Sequence, residues 1–117
     1  MKRQRKPWQA TPQIIDRMVR RLARRFKPEQ IILFGSHARG MAGPDSDVDL
    51  LVVMPLEDPR HEKPQMELAM RLAVHDFKCP KDIIVVTPSE MERQKSIPGT
   101  LVRPALSEGK ILYVRQA

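Results

Sequence analysis

Three short apolar runs decide what this chain can become. QIILF (residues 30–34), VDLLVVM (48–54) and KDIIVV (81–86) carry the aliphatic and β-branched side chains that fill buried strands. Helical spacing dominates much of the sequence around them, and strands alternating with helices predict an α/β (α+β) fold: a short sheet with helices packed on it. Two of the runs open on acids. Asp49 lies inside the second, Asp47 stands just ahead of it, and Asp82 opens the third. Side chains at i and i+2 of a strand share a face, so Asp47 and Asp49 project with Leu51 and Val53, while Val48, Leu50, Val52 and Met54 take the other side. Two carboxylates held this way repel each other and call for a counter-charge.

The helices are marked by their ends. Thr11 followed by Pro12 is a hydroxyl cap with proline in the first helical position. Ile14, Ile15, Met18, Val19, Leu22 and Phe26 then recur at helical spacing until Lys27-Pro28. PLEDPRHEKP reads as a polar, proline-rich loop, with a second helix expected over residues 64–77. Thr87 and Glu90 have capping-box spacing around Pro88. A last short helix is expected over about residues 100–107, closed by Gly109 and followed by a strand at KILYV.

Charge and composition narrow the partners. The net charge is +7, from 21 Lys and Arg against 14 Asp and Glu, which favours anionic partners. Ten of the basic residues fall in the first quarter: Lys2, Arg3, Arg5 and Lys6, then Arg17, Arg20, Arg21, Arg24, Arg25 and Lys27. A basic tail followed by a solvated helix face accounts for them without any ligand. Aromatic residues are too scarce to build a stacking platform for single-stranded nucleic acid. No apolar run approaches the roughly 20 residues that cross a bilayer. The basic start lacks the apolar stretch of a secretory signal, and the single cysteine, Cys79, fits a reducing cytoplasm. His37, His61 and His75 are too dispersed to form a metal cluster by spacing; His37 alone borders a glycine turn.

The chemistry concentrates in FGSHARGMAGPDSDVDLLVV (residues 34–53). Asp47 and Asp49 are an oxygen-ligand pair for a hard divalent cation such as Mg2+, which takes few protein carboxylates and completes its shell with water and substrate phosphates. Gly35 allows close approach of a phosphate, and a helix opening after it would aim N–H groups there. Ser36 adds a hydroxyl and Arg39 a charge within one turn. The glycines fit neither the Walker A spacing nor the dinucleotide fingerprint.

Gly35-Ser36, ten intervening residues, then Asp47-x-Asp49 running into an apolar strand resembles the nucleotidyltransferase superfamily of the DNA polymerase β type, with its G-S-x10-D-x-D arrangement. The ARG and SD-DL flanks match too. The resemblance implies a polymerase β-like core and a third carboxylate on a later strand, for which Asp82 is the leading candidate; Asp45, Asp58, Glu62, Glu67 and Asp76 are its rivals. It extends to EGKILY, similar to the ending of the minimal stand-alone members, and implies one domain over residues 11–117 behind a basic flexible tail, residues 1–10.

In that family, Asp47, Asp49 and Asp82 would hold two Mg2+ ions, with Gly35, Ser36 and Arg39 at the phosphates of ATP or another NTP. The transferred group would be an NMP, most simply AMP, and the acceptor a hydroxyl. In HEPN/MNT toxin–antitoxin pairs the minimal member is the antitoxin and adds AMP to a tyrosine of its helical HEPN partner. A non-catalytic antitoxin, or an adaptor that binds a partner protein or RNA, is the alternative.

Overall fold

A computed structural model describes residues 8–116, so most of the expected tail, residues 1–7, lies outside the described part. Helix α1 spans Pro12–Phe26, strand β1 Gln30–Phe34, β2 Val48–Val53, α2 Pro59–Ala73, β3 Lys81–Val86, α3 Pro88–Gln94, α4 Val102–Glu108 and β4 Lys110–Val114. The strands form one mixed sheet in the order β3-β2-β1-β4. β1 runs antiparallel to both β2 and β4, whereas β2 and β3 are parallel, joined by the α2 crossover that parallel neighbours require.

Alternation along the strands fills two cores. On one face Ile31, Leu33, Val48, Leu50, Val52, Ile83 and Val85 meet Ile15, Met18, Val19 and Leu22 of α1 and Met70 of α2. On the other, Ile32, Phe34, Leu51, Val53 and Val86 meet Val102 and Ala105 of α4. The sheet is thus the middle of three layers, and Asp49 shares the α4 side with Leu51 and Val53. Burial raises the Cys79 thiol above its ordinary pKa, as expected of a packing residue.

The ends of α1 and α3 follow their caps. Thr11 accepts from the Ile14 N–H, and Lys27 closes α1 in the left-handed conformation, with φ 50°, just before Pro28. The Thr87 hydroxyl accepts from the Glu90 N–H while the Glu90 carboxylate accepts from the Thr87 N–H, a complete capping box.

α2 differs from expectation, starting at Pro59 and ending at Ala73. Pro59 occupies the first turn, where its missing N–H is no loss, and Glu62 Oε1 reaches back 2.8 Å to the Asp58 N–H. Pro64 is carried inside the helix at the loss of one hydrogen bond, that to the carbonyl of the exposed Arg60. Val74 and Phe77, expected on the helix, are buried by tight turns instead. α4 begins two residues later than expected.

The two sheet edges are finished differently. At β3, the Val85 N–H donates to Glu67 Oε2 of α2 at 2.9 Å, so the outer ladder is partly closed by a side chain. At β4, Ile111, Leu112 and Val114 stay exposed. Among the described residues no helix is long and apolar enough to cross a membrane.

Candidate active site

Strand register builds the site. Asp49 stands opposite Phe34 of β1 on one side and opposite Asp82 of β3 on the other, so the two acids are in-register neighbours on parallel strands. Neighbouring strands lie about 4.8 Å apart, and paired residues send their side chains to the same face. Asp47 ends the preceding loop one residue before β2, where the Val48 N–H is bonded to the Pro80 carbonyl at 2.9 Å.

The fit at Gly35 is tight. The backbone holds φ at +75°, so the conformation demands glycine, and a Cβ there would lie 2.2 Å from Asp49 Oδ2 and displace that carboxylate. The helix expected after Gly35 is not formed. Residues 36–40 make tight turns, with the Ala38 and Arg39 N–H groups donating to the Gly35 carbonyl at 3.1 and 3.2 Å and Met41 N–H to the Ser36 carbonyl at 2.9 Å. Gly40 and Gly43 interrupt the segment, and Pro44 follows, too little continuous helical sequence to propagate beyond a turn.

The loop that presents Asp47 is held from several directions. The Gly43 N–H donates to Ser46 Oγ at 2.8 Å, His37 Nε2 lies 3.2 Å from the Ser46 carbonyl, and the Trp8 indole donates to Asp45 Oδ1 at 3.0 Å. Trp8 thus fastens the start of the described chain to this loop.

Electrostatics single out Asp49. Burial, then the charges of Asp82 and Asp47, raise its pKa above the ordinary 3.8, while His37 and Arg39 act in the opposite direction. Asp82, Asp47, Arg39 and His37 thus lie within electrostatic reach of Asp49. Arg39 also pairs with Glu108 of α4 at 3.3 Å, and Asp82 Oδ1 lies 3.8 Å from Nη2 of Arg71 in the last turn of α2. Sequence reasoning found neither Arg71 nor Glu108, because each is brought in by a distant helix with no local motif.

The rival acids are engaged elsewhere. Asp45 accepts from Trp8, Asp58 pairs with His61, Glu62 and Glu67 accept backbone N–H groups, and Asp76 pairs with Arg21. Among the described residues no three His, Cys, Asp or Glu side chains converge closely enough to form a finished metal cage. Asp47, Asp49 and Asp82 are hard oxygen donors drawn from two adjacent strands and the loop ahead of one.

Residues 15–112 match the family model of the nucleotidyltransferase domain. No curated protein matches the chain. Among solved structures, the fold is similar to a candidate nucleotidyltransferase from Sulfolobus solfataricus, at TM-score 0.57 and 23% identity over 88% of this chain and 79% of that one. It is also similar to a toxin–antitoxin structure with AMP-PNP, at TM-score 0.53 and 22% identity over 86% and 74% of the two chains. A mutant of the toxin–antitoxin MntA-HpeT gives 0.51 and 20% over the same shares, 86% and 74%.

Proposed function

The chain belongs to the nucleotidyltransferase domain family, and from that membership we propose that it transfers AMP from ATP to a protein hydroxyl, with Asp47, Asp49 and Asp82 as the carboxylates of a Mg2+ site. The observation that supports this most is the in-register pairing of Asp49 with Asp82, beside a glycine whose missing side chain makes room for the Asp49 carboxylate. The donors fit Mg2+ in kind: carboxylate oxygens from two adjacent strands and the loop ahead of one. Bound there, Mg2+ would neutralise the carboxylates and the developing charge on the pyrophosphate.

The chain's own residues divide the remaining work. Gly35 and Ser36 position the outer phosphates, and Arg39 supplies positive charge toward them. Asp82 accepts the proton of the attacking hydroxyl. Catalysis is then mostly positioning and electrostatic stabilisation on a rigid strand framework. The acceptor is presented by a partner protein. The toxin–antitoxin neighbours support a toxin as that partner, with this chain as the antitoxin; the acceptor that the family resemblance implies is a tyrosine of a helical HEPN-type protein.

The test is transfer of label from α-labelled ATP, with Mg2+, to a candidate helical partner. Wild type should label the partner; Asp47→Ala, Asp49→Ala and Asp82→Asn should lose labelling while melting cooperatively. Undiminished labelling by Asp49→Ala would overturn the assignment.

A further inference from the structure

The outer face of α1 is a concentration of positive charge that the transfer chemistry does not use. Arg17, Arg20, Arg21, Arg24 and Arg25, together with Phe77, line a hollow of about 340 Å³ on the sheet face opposite the one that carries Asp49. Arg17, Arg20, Arg24 and Arg25 are exposed. Among the described residues two carboxylates answer them: Asp16, 2.9 Å from Arg20, and Asp76, paired with Arg21.

Such a face is unfavourable on its own. Arg17 and Arg21, Arg20 and Arg24, and Arg21 and Arg25 are like charges four residues apart, which repel along a helix. Yet the cluster is organised. Arg21 also donates to the Ala73 carbonyl at 3.1 Å, and the guanidiniums of Arg21 and Arg17 lie 4.6 and 5.6 Å from the Phe77 ring centroid. Arg21 and Phe77 thereby form a fixed floor, and the four exposed arginines form the walls.

We propose that this arginine-lined hollow binds the phosphodiester backbone of nucleic acid without reading its sequence. Guanidinium forks match phosphate oxygens bidentately. The hollow's single ring is already engaged by two guanidiniums, which leaves no platform for a base. An acidic protein segment fits less well, because protein interfaces draw most of their affinity from apolar anchors in pockets and this lining offers none.

The test is fluorescence anisotropy with the full chain and labelled RNA and DNA oligomers of about 20 nucleotides, single-stranded and duplex, over roughly 50–200 mM salt. The variant Arg17→Gln/Arg24→Gln removes two contacts. It should flatten the slope of log affinity against log salt by about 1.4 on single strands and about 1.8 on duplex. Binding should weaken alike for all sequences. The control Arg60→Gln/Arg93→Gln removes the same charge elsewhere and should keep the wild-type slope. Retained helical circular dichroism and retained transfer would show that the α1 variant is otherwise sound. An unchanged slope in that variant, an equal change in the control, or competition by polyglutamate as strong as by the oligomers would overturn the proposal.

Discussion

Replacing Gly35 with alanine tests the site more sharply than removing an acid, because it leaves every charged group in place. The left-handed backbone costs a Cβ-bearing residue about 1–2 kcal/mol, partly offset by about 0.4–1 kcal/mol from the stiffer unfolded chain. The net loss of stability is about 1 kcal/mol, readable in urea denaturation. The steric effect falls on the chemistry. The new Cβ, at 2.2 Å from Asp49 Oδ2, must be relieved to at least the 3.4 Å of ordinary contact. Asp49 therefore moves by about 1 Å, a misplacement that can cost about 100-fold in rate, or about 2.7 kcal/mol of barrier. Gly40→Ala is the matched control: its φ is +70° and a Cβ there meets nothing within 4 Å. Both variants should lose similar stability, and only Gly35→Ala should lose AMP transfer from α-labelled ATP. Equal transfer by the two variants would refute the reasoning.

The capping box and the crowded carboxylates give further outcomes. Thr87→Ala removes the acceptor of the Glu90 N–H and should cost about 1 kcal/mol in chemical denaturation, lowering Tm by about 4 °C for a domain of this size. A variant as stable as wild type would show that α3 does not depend on its cap. Because the folded-state pKa of Asp49 is raised, its charge opposes folding at neutral pH; the penalty is absent below 3.8 and develops as the pH rises through the elevated value. Asp49→Asn should therefore raise Tm at pH 7 by more than at pH 4, in metal-free buffer. A gain independent of pH would place its cause outside the burial and repulsion that oppose the charged Asp49 carboxylate.

How much of this was written in the sequence varies from element to element. The paired acids, the Gly35 turn and the strand alternation were legible because each is a local pattern with a period of two or a special backbone need. Asp82 was named because the family resemblance asks for a third carboxylate on a later strand; the helix between the two apolar runs agrees with the parallel pairing that sets it beside Asp49. The start of α2 was hidden by prolines: Pro59 and Pro64 look like loop residues, yet one stands in the first turn and the other gives up a bond at an exposed position. The missing helix after Gly35 was a propagation failure in a glycine-interrupted segment. Arg71 and Glu108 were invisible, since only tertiary packing carries them to Asp82 and Arg39.

The parallel pairing of β2 with β3 makes the sheet ladder a ruler for the site. The separation of Asp49 from Asp82 is measured across one pair of strands, not along the 32 residues between them in the sequence. Lengthening the loops at either end of α2 leaves that measurement unchanged, and loop entropy grows only slowly with length. A one-residue slip of β3 would instead turn Asp82 into the core and bring Ile83 or Lys81 to the site face. Insertions are thus tolerable in the connection and ruinous in the strand, though the connection is by far the longer of the two.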